Sequence, residues 1–96
     1  MIPIGYFAER HGEKYPIFQS TENDIPFKGR VLEYLRNCKV IAAAPGRMTD
    51  VFTDKPIPGE MLAYSDGDYY WGTEAIYYFE KYNMKLPDEF VNRILH

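Results

Sequence analysis

The chain has one cysteine, two histidines and no long apolar run, and each shortage excludes something. A single thiol, Cys38, cannot close an internal disulfide, which points to a reducing, cytoplasmic setting. With only His11 and His96, no Ser/His/Asp or Cys/His constellation can be assembled with any preference. Nothing approaches the roughly 18 consecutive apolar residues of a membrane span, and MIPIGYFAERHG lacks the basic-then-apolar order of a secretion signal. The expectation is therefore a cytoplasmic protein with no membrane partner. Phosphate-binding chemistry is equally poorly supplied, since APGR (Ala44 to Arg47) has one glycine and no lysine where a phosphate cradle needs several glycines and a lysine. Asp66, Gly67 and Asp68 look like the start of a calcium loop, but the twelfth position from Asp66 is Tyr77 rather than glutamate. No cofactor and no metal is expected.

What the chain has in quantity is tyrosine, nine in 96 residues. From Tyr64 to Tyr82, YSDGDYYWGTEAIYYFEKY, eight aromatic rings and four carboxylates accompany one lysine. Tyrosine and tryptophan offer large contact areas at small entropic cost, and they are enriched where proteins grip one another. Charge is divided unevenly. Met1 to Met48 holds seven Lys/Arg against five Asp/Glu, whereas Thr49 to His96 holds four against nine. The aromatic cluster thus lies in the acidic half, the reverse of the basic stripe that nucleic acid requires, and complementary potentials favour a basic protein partner.

Length and composition fit one domain, residues 1–96, of α+β class. The expected architecture is a small antiparallel sheet of about three strands packed with two or three helices. Ile2 to Ala8 and Tyr15 to Gln19 are short apolar stretches broken by glycine and proline, either short strands or an irregular arm. Val31, Leu32, Leu35 and Cys38 share one helical face, predicting a helix between Asp24 and Asn37, with Asp24 as cap and Asn37 as its left-handed stop. Lys39 to Ala44, KVIAAA, is apolar on both sides and reads as a central strand. Arg47 to Gly59 reads as a long loop with at most one edge strand. Asp66-Gly67 predicts a two-residue type I′ hairpin with Tyr64 opposite Tyr69 and Leu62 opposite Trp71. Thr73 is placed to cap the next helix, whose inner face is Ala75, Ile76, Phe79 and Tyr82 and whose outer face is Glu74, Tyr77, Tyr78 and Lys81. Asn83 ends it, and Pro87 opens a last helix with Phe90, Val91, Ile94 and Leu95 inward.

Most of the rings, Tyr64, Tyr69, Trp71, Phe79 and Tyr82, are needed for the core. Tyr70, Tyr77 and Tyr78 remain to be explained. Three explanations compete: a protein-binding patch together with Asp66, Asp68 and Glu74, packing against the first twenty residues, or a small-molecule or sugar cleft. His11, in ERHGEK, reads as part of a solvated turn, and Cys38 as a small buried hydrophobe.

The run APGRMTDVFTD (Ala44 to Asp54), followed by SDGDYYW and YYFEKYNMKLPDEFVNRIL, resembles a family of small uncharacterised bacterial proteins of immunity-protein type over about half the chain. That resemblance implies a stoichiometric inhibitor of a secreted toxin and carries no catalytic motif. GTEAIYY (Gly72 to Tyr78) is similar to the acid-flanked tyrosine pair with which colicin DNase immunity proteins hold their nucleases; the rest of the chain departs from that all-helical pattern. The resulting expectation is a protein-binding module that occludes a basic toxin domain. A homodimerising structural domain, or a small-molecule-binding or enzymatic domain, stands as the alternative.

Overall fold

A computed structural model describes residues 1–21 and 25–96. The chain is α+β, with four helices, a four-stranded sheet and a two-stranded ribbon among the described residues. In chain order these are β1 (Ile2–Pro3), α1 (Ala8–His11), α2 (Lys28–Asn37), β2 (Lys39–Ala44), β3 (Met48–Thr49), β4 (Pro56–Ile57), β5 (Met61–Ser65), β6 (Tyr69–Gly72), α3 (Thr73–Tyr82) and α4 (Asp88–Leu95). No described helix is long and apolar enough to cross a membrane.

The sheet order is β1-β6-β5-β2, with β1 parallel to β6 and the other pairs antiparallel. The sheet is therefore mixed rather than purely antiparallel, because the arm at Ile2–Pro3 adds a strand to the hairpin. Ile2 and Ile4 donate their amides to the carbonyls of Asp68 and Tyr70, at 2.9 and 2.8 Å.

The hairpin forms where DG predicts it, but its register differs by two residues. Ser65 pairs with Tyr70, Tyr64 with Trp71 and Ala63 with Gly72. The cause is Asp66, whose carboxylate accepts the amides of Asp68 and Tyr69 at 3.1 and 2.9 Å, while Ser65 Oγ accepts that of Gly67. This side-chain-capped turn needs positive φ only at Gly67 (φ 104°), and it is longer than a type I′ turn. A shift by an even number preserves the faces, so Tyr69 and Trp71 still point to the core. Trp71 is fully buried and its indole donates to the Leu35 carbonyl at 2.9 Å, fixing α2 to the sheet. Phe90 of α4 packs on both rings, at 4.9 Å from Tyr69 and 5.3 Å from Trp71.

KVIAAA is a strand, yet it is the edge of the sheet and all six residues are exposed. The central position belongs to β5 and β6. An apolar pattern on both sides is the same for a strand between two neighbours and for one left uncovered, so sequence cannot separate them.

The helices also depart from their predicted ends. α2 begins at Lys28 behind Phe27, which adopts left-handed φ (59°); the predicted cap Asp24 lies outside the described residues. Asn37 is still helical and its side-chain Nδ2 donates to the Glu33 carbonyl, and Cys38 leaves in extended conformation. Thr73 does not cap α3. Its hydroxyl donates to the Glu60 carbonyl at 2.6 Å and accepts the Leu62 amide at 3.0 Å, tying α3 to the start of β5. Asn83 does end α3 in left-handed conformation (φ 55°). α4 starts one residue after Pro87 and buries Phe90 and Ile94. The segment 47–59 is a ribbon rather than a plain loop, with Met48 paired to Ile57 and Thr49 to Pro56.

Candidate functional site

The predicted binding patch is dispersed by the structure, and its members are mostly occupied. Tyr78 is fully buried, so its assignment to the outer face of α3 is corrected. Its ring meets Phe7 edge-on at 5.1 Å and lies 6.0 Å from Phe18, which is the packing against the first twenty residues that competed with the patch. Its hydroxyl accepts the Val51 amide at 3.1 Å. Tyr77 is half-buried and donates to Asp50 at 2.7 Å.

Asp50 explains this reversal. It has no exposed surface, yet it is fully partnered: Tyr82 and Tyr77 donate to one carboxylate oxygen at 2.6 and 2.7 Å, and the amides of Phe52 and Thr53 to the other at 2.8 and 3.3 Å. Lys81 stands 3.7 Å away. Burial pushes this carboxyl up, but the two phenols and two amides outweigh it and hold it well below the usual carboxylate range. The turn between β3 and β4 thereby reaches Tyr77 and Tyr78, which periodicity assigned to solvent. Asp50 was missed in the sequence because TDVFTD reads as loop and the tyrosines that bind its carboxylate lie 27 and 32 residues further on.

The DG turn is likewise internally satisfied. Asp66 accepts the Tyr34 hydroxyl at 2.6 Å and lies 3.5 Å from Arg93, which also reaches Asp68 at 2.7 Å. Burial raises the Asp66 carboxyl, and Tyr34, the amides of Tyr69 and Asp68, and Arg93 together bring it below its ordinary value. Only Asp68, whose side chain is 65% exposed, keeps an open carboxylate surface.

Tyr70 and Glu74 belong to a different group, which the structure builds around the amino-terminal arm. Tyr6 stacks on His11 at 4.4 Å, meets Tyr15 at 5.2 Å and meets Tyr70 edge-on at 6.0 Å. All four rings are partly buried and keep some exposed surface. Arg10 and Glu74 close one side as a two-point ion pair, at 3.0 and 3.3 Å. His11 Nδ1 accepts the Phe7 amide at 3.1 Å, so the ring is an anchor of the short helix α1 rather than part of a solvated turn. Its burial lowers its basicity, with the Phe7 backbone acting in the opposite direction. Beside Tyr6 and Tyr15 runs an apolar groove of about 430 Å³ between the arm and Met84 to Pro87, with Ile17 on its lip at 69% exposure.

The arrangement is an amphipathic cluster of rings on the surface of the arm. Each phenol offers an apolar face and a polar tip, already ordered by its neighbours, so little entropy remains to be lost on contact. Sequence reasoning missed Tyr6 and Tyr15 because they are remote from the tyrosine-rich segment, and only the parallel pairing of β1 with β6 brings them to Tyr70. Among the described residues no group of three or more His, Cys, Asp or Glu side chains is placed to hold a metal ion. No family model, curated protein or solved structure matches the chain.

Proposed function

We propose that the chain is a protein-binding module of immunity type that neutralises a basic toxin domain by stoichiometric occlusion. The observation that carries this reading is the partly exposed cluster of Tyr6, Tyr15 and Tyr70, with Tyr6 and Tyr15 lining an apolar groove. Pre-ordered tyrosines around a pocket that accepts an apolar side chain are the usual composition of an interface hot spot. The formal charge of −3 supplies attraction at long range, and the exposed carboxylate of Asp68, one oxygen of which pairs with Arg93, lies just before the strand that carries Tyr70. Of the six residues expected from the sequence, Tyr70, Glu74 and Asp68 stay in the proposed surface; Asp66, Tyr77 and Tyr78 support the fold beneath it.

The test is a titration calorimetry experiment with the product of the adjoining reading frame. Replacing Tyr15 and Tyr70 with alanine is expected to weaken binding by about 30-fold or more per residue, with an unchanged circular dichroism spectrum. Wild-type protein is also expected to relieve growth arrest by that product, and the double variant to fail. Unaltered affinity in a folded double variant rejects the surface, and absence of binding rejects the immunity reading.

A further inference from the structure

We infer that His11 is a proton-operated latch on the amino-terminal arm: the neutral imidazole holds the turn α1 and the tyrosine cluster together, and a proton taken up by the ring loosens both. α1 is a single turn of four residues, none of them buried, and the side chain at its N-cap, Phe7, makes no capping bond. So short a helix has little stability of its own and depends on what clasps its ends. His11 is that clasp. Its Nδ1 accepts the Phe7 amide at 3.1 Å, which makes this nitrogen the unprotonated one and leaves the ring proton on Nε2. The Phe7 amide has no other acceptor among the described residues, and Phe7 is only 3% exposed.

Protonation removes the acceptor. Nδ1 then carries hydrogen and faces the Phe7 amide donor to donor, which leaves a buried N–H unpaired. Among the described residues the one acceptor that Nδ1 meets is the Phe7 carbonyl at 3.3 Å, and it already receives the amides of His11 at 2.8 Å and Arg10 at 3.2 Å. Turning the ring towards it disturbs the stack on Tyr6, at 4.4 Å, and the edge contact with Tyr15, at 6.0 Å. The turn and the ring cluster are therefore tied to one protonation state.

The charged and titratable groups around the ring are Arg10 on α1, Glu74 on α3 and the phenols of Tyr6 and Tyr15, with Lys14 5.0 Å above the Tyr15 ring. Burial weighs most and disfavours the imidazolium, and Arg10 adds to it; the Phe7 carbonyl, Glu74 and the face of Tyr6 act the other way. Glu74 is already engaged in its two-point ion pair with Arg10, and the ring stays less basic than an ordinary histidine. A histidine less basic folded than unfolded contributes fully above the unfolded value of about 6.5, and that contribution is lost as pH falls from there towards the folded value. The latch thus opens above the carboxyl range in which Asp50 and Asp66 respond. For a basic partner the consequence is release in mild acid, because the added positive charge sits inside the tyrosine surface. That use rests on the function proposed above, whereas the latch is a property of the free chain.

Nuclear magnetic resonance of the free chain between about pH 8 and 4.5 tests the latch without a partner, so its failure is distinct from failure of the immunity reading. In His96→Ala, which leaves His11 as the single imidazole, the ring is expected to titrate with a midpoint below about 6.5. The Phe7 amide and the ring signals of Tyr6 and Tyr15 are expected to shift with that same midpoint. Protection of the α1 amides from hydrogen exchange should fall about tenfold across it, while β5 and α3 keep theirs. His11→Asn sets a neutral acceptor, Oδ1, where Nδ1 stands, and is expected to abolish these changes over the same range. A midpoint at or above the unfolded value, a Phe7 amide that does not follow it, unchanged protection of α1, or a His11→Asn variant that keeps the pH response overturns the proposal.

Discussion

At Asp50 a single buried carboxylate ties two tyrosines of α3, Tyr77 and Tyr82, to the turn of the β3–β4 ribbon. Two phenols and two amides converge on it, and removing its charge leaves them competing for a weaker acceptor. Asp50→Asn is expected to cost about 3 kcal/mol of unfolding free energy by urea denaturation at neutral pH. Tyr82→Phe deletes one charge-assisted bond and should cost about 2 kcal/mol. Equal stability of Asp50→Asn and wild type would show that the ribbon is held by Met48 and Ile57 alone. The residue scale is also where the sequence was least informative. A 3.6-residue period identifies the most apolar stripe of a helix, yet Tyr78 is amphipathic and follows whichever layer is laid over it.

Element by element, the sequence carried the existence of α2, α3, α4, β2 and the DG hairpin, because each has a period, a cap or a turn signal of its own. Asn83 ended α3 for the reason its side chain suggested. What it did not carry was order across the sheet, since alanine and valine in KVIAAA suit an edge as well as a centre. The arm was ambiguous for a similar reason: two residues of strand give no alternation to read. Gly5 is the element-scale test of how that arm is seated. Its φ is +81°, and a Cβ there would lie 2.5 Å from Ala75 Cβ of α3. Gly5→Ala therefore combines a left-handed penalty with a helix contact that has no space to give, and an expected loss of about 3 kcal/mol in denaturant unfolding follows. A near-neutral result would mean that the arm is not pressed against α3 at Ala75.

For the molecule as a whole, two partly or fully buried carboxylates set the response to acid. Asp50 and Asp66 are both held below their ordinary values, so each binds a proton less readily folded than unfolded. Their contribution is complete above the unfolded carboxyl value of about 4 and is lost as pH falls from there towards the folded values. Urea midpoints should thus change little from these groups between about pH 8 and 5 and drop below about pH 4. In Asp50→Asn the drop should be shallower, because one of the two linked protons is gone; an identical acid slope would assign the linkage elsewhere.

The parallel pairing of β1 with β6 joins residues separated by most of the chain. Closing so large a loop is entropically costly and is repaid by the amide bonds of Ile2 and Ile4 and by burial of Ile4 and Phe7, which places the pairing late in folding. Tyr6 and Tyr15 ride on that arm, whereas Tyr70 waits on the hairpin. A partly opened chain can therefore hold its helices and central strands while Tyr6 and Tyr15 stand apart from Tyr70, so the proposed surface is complete only once the arm has docked.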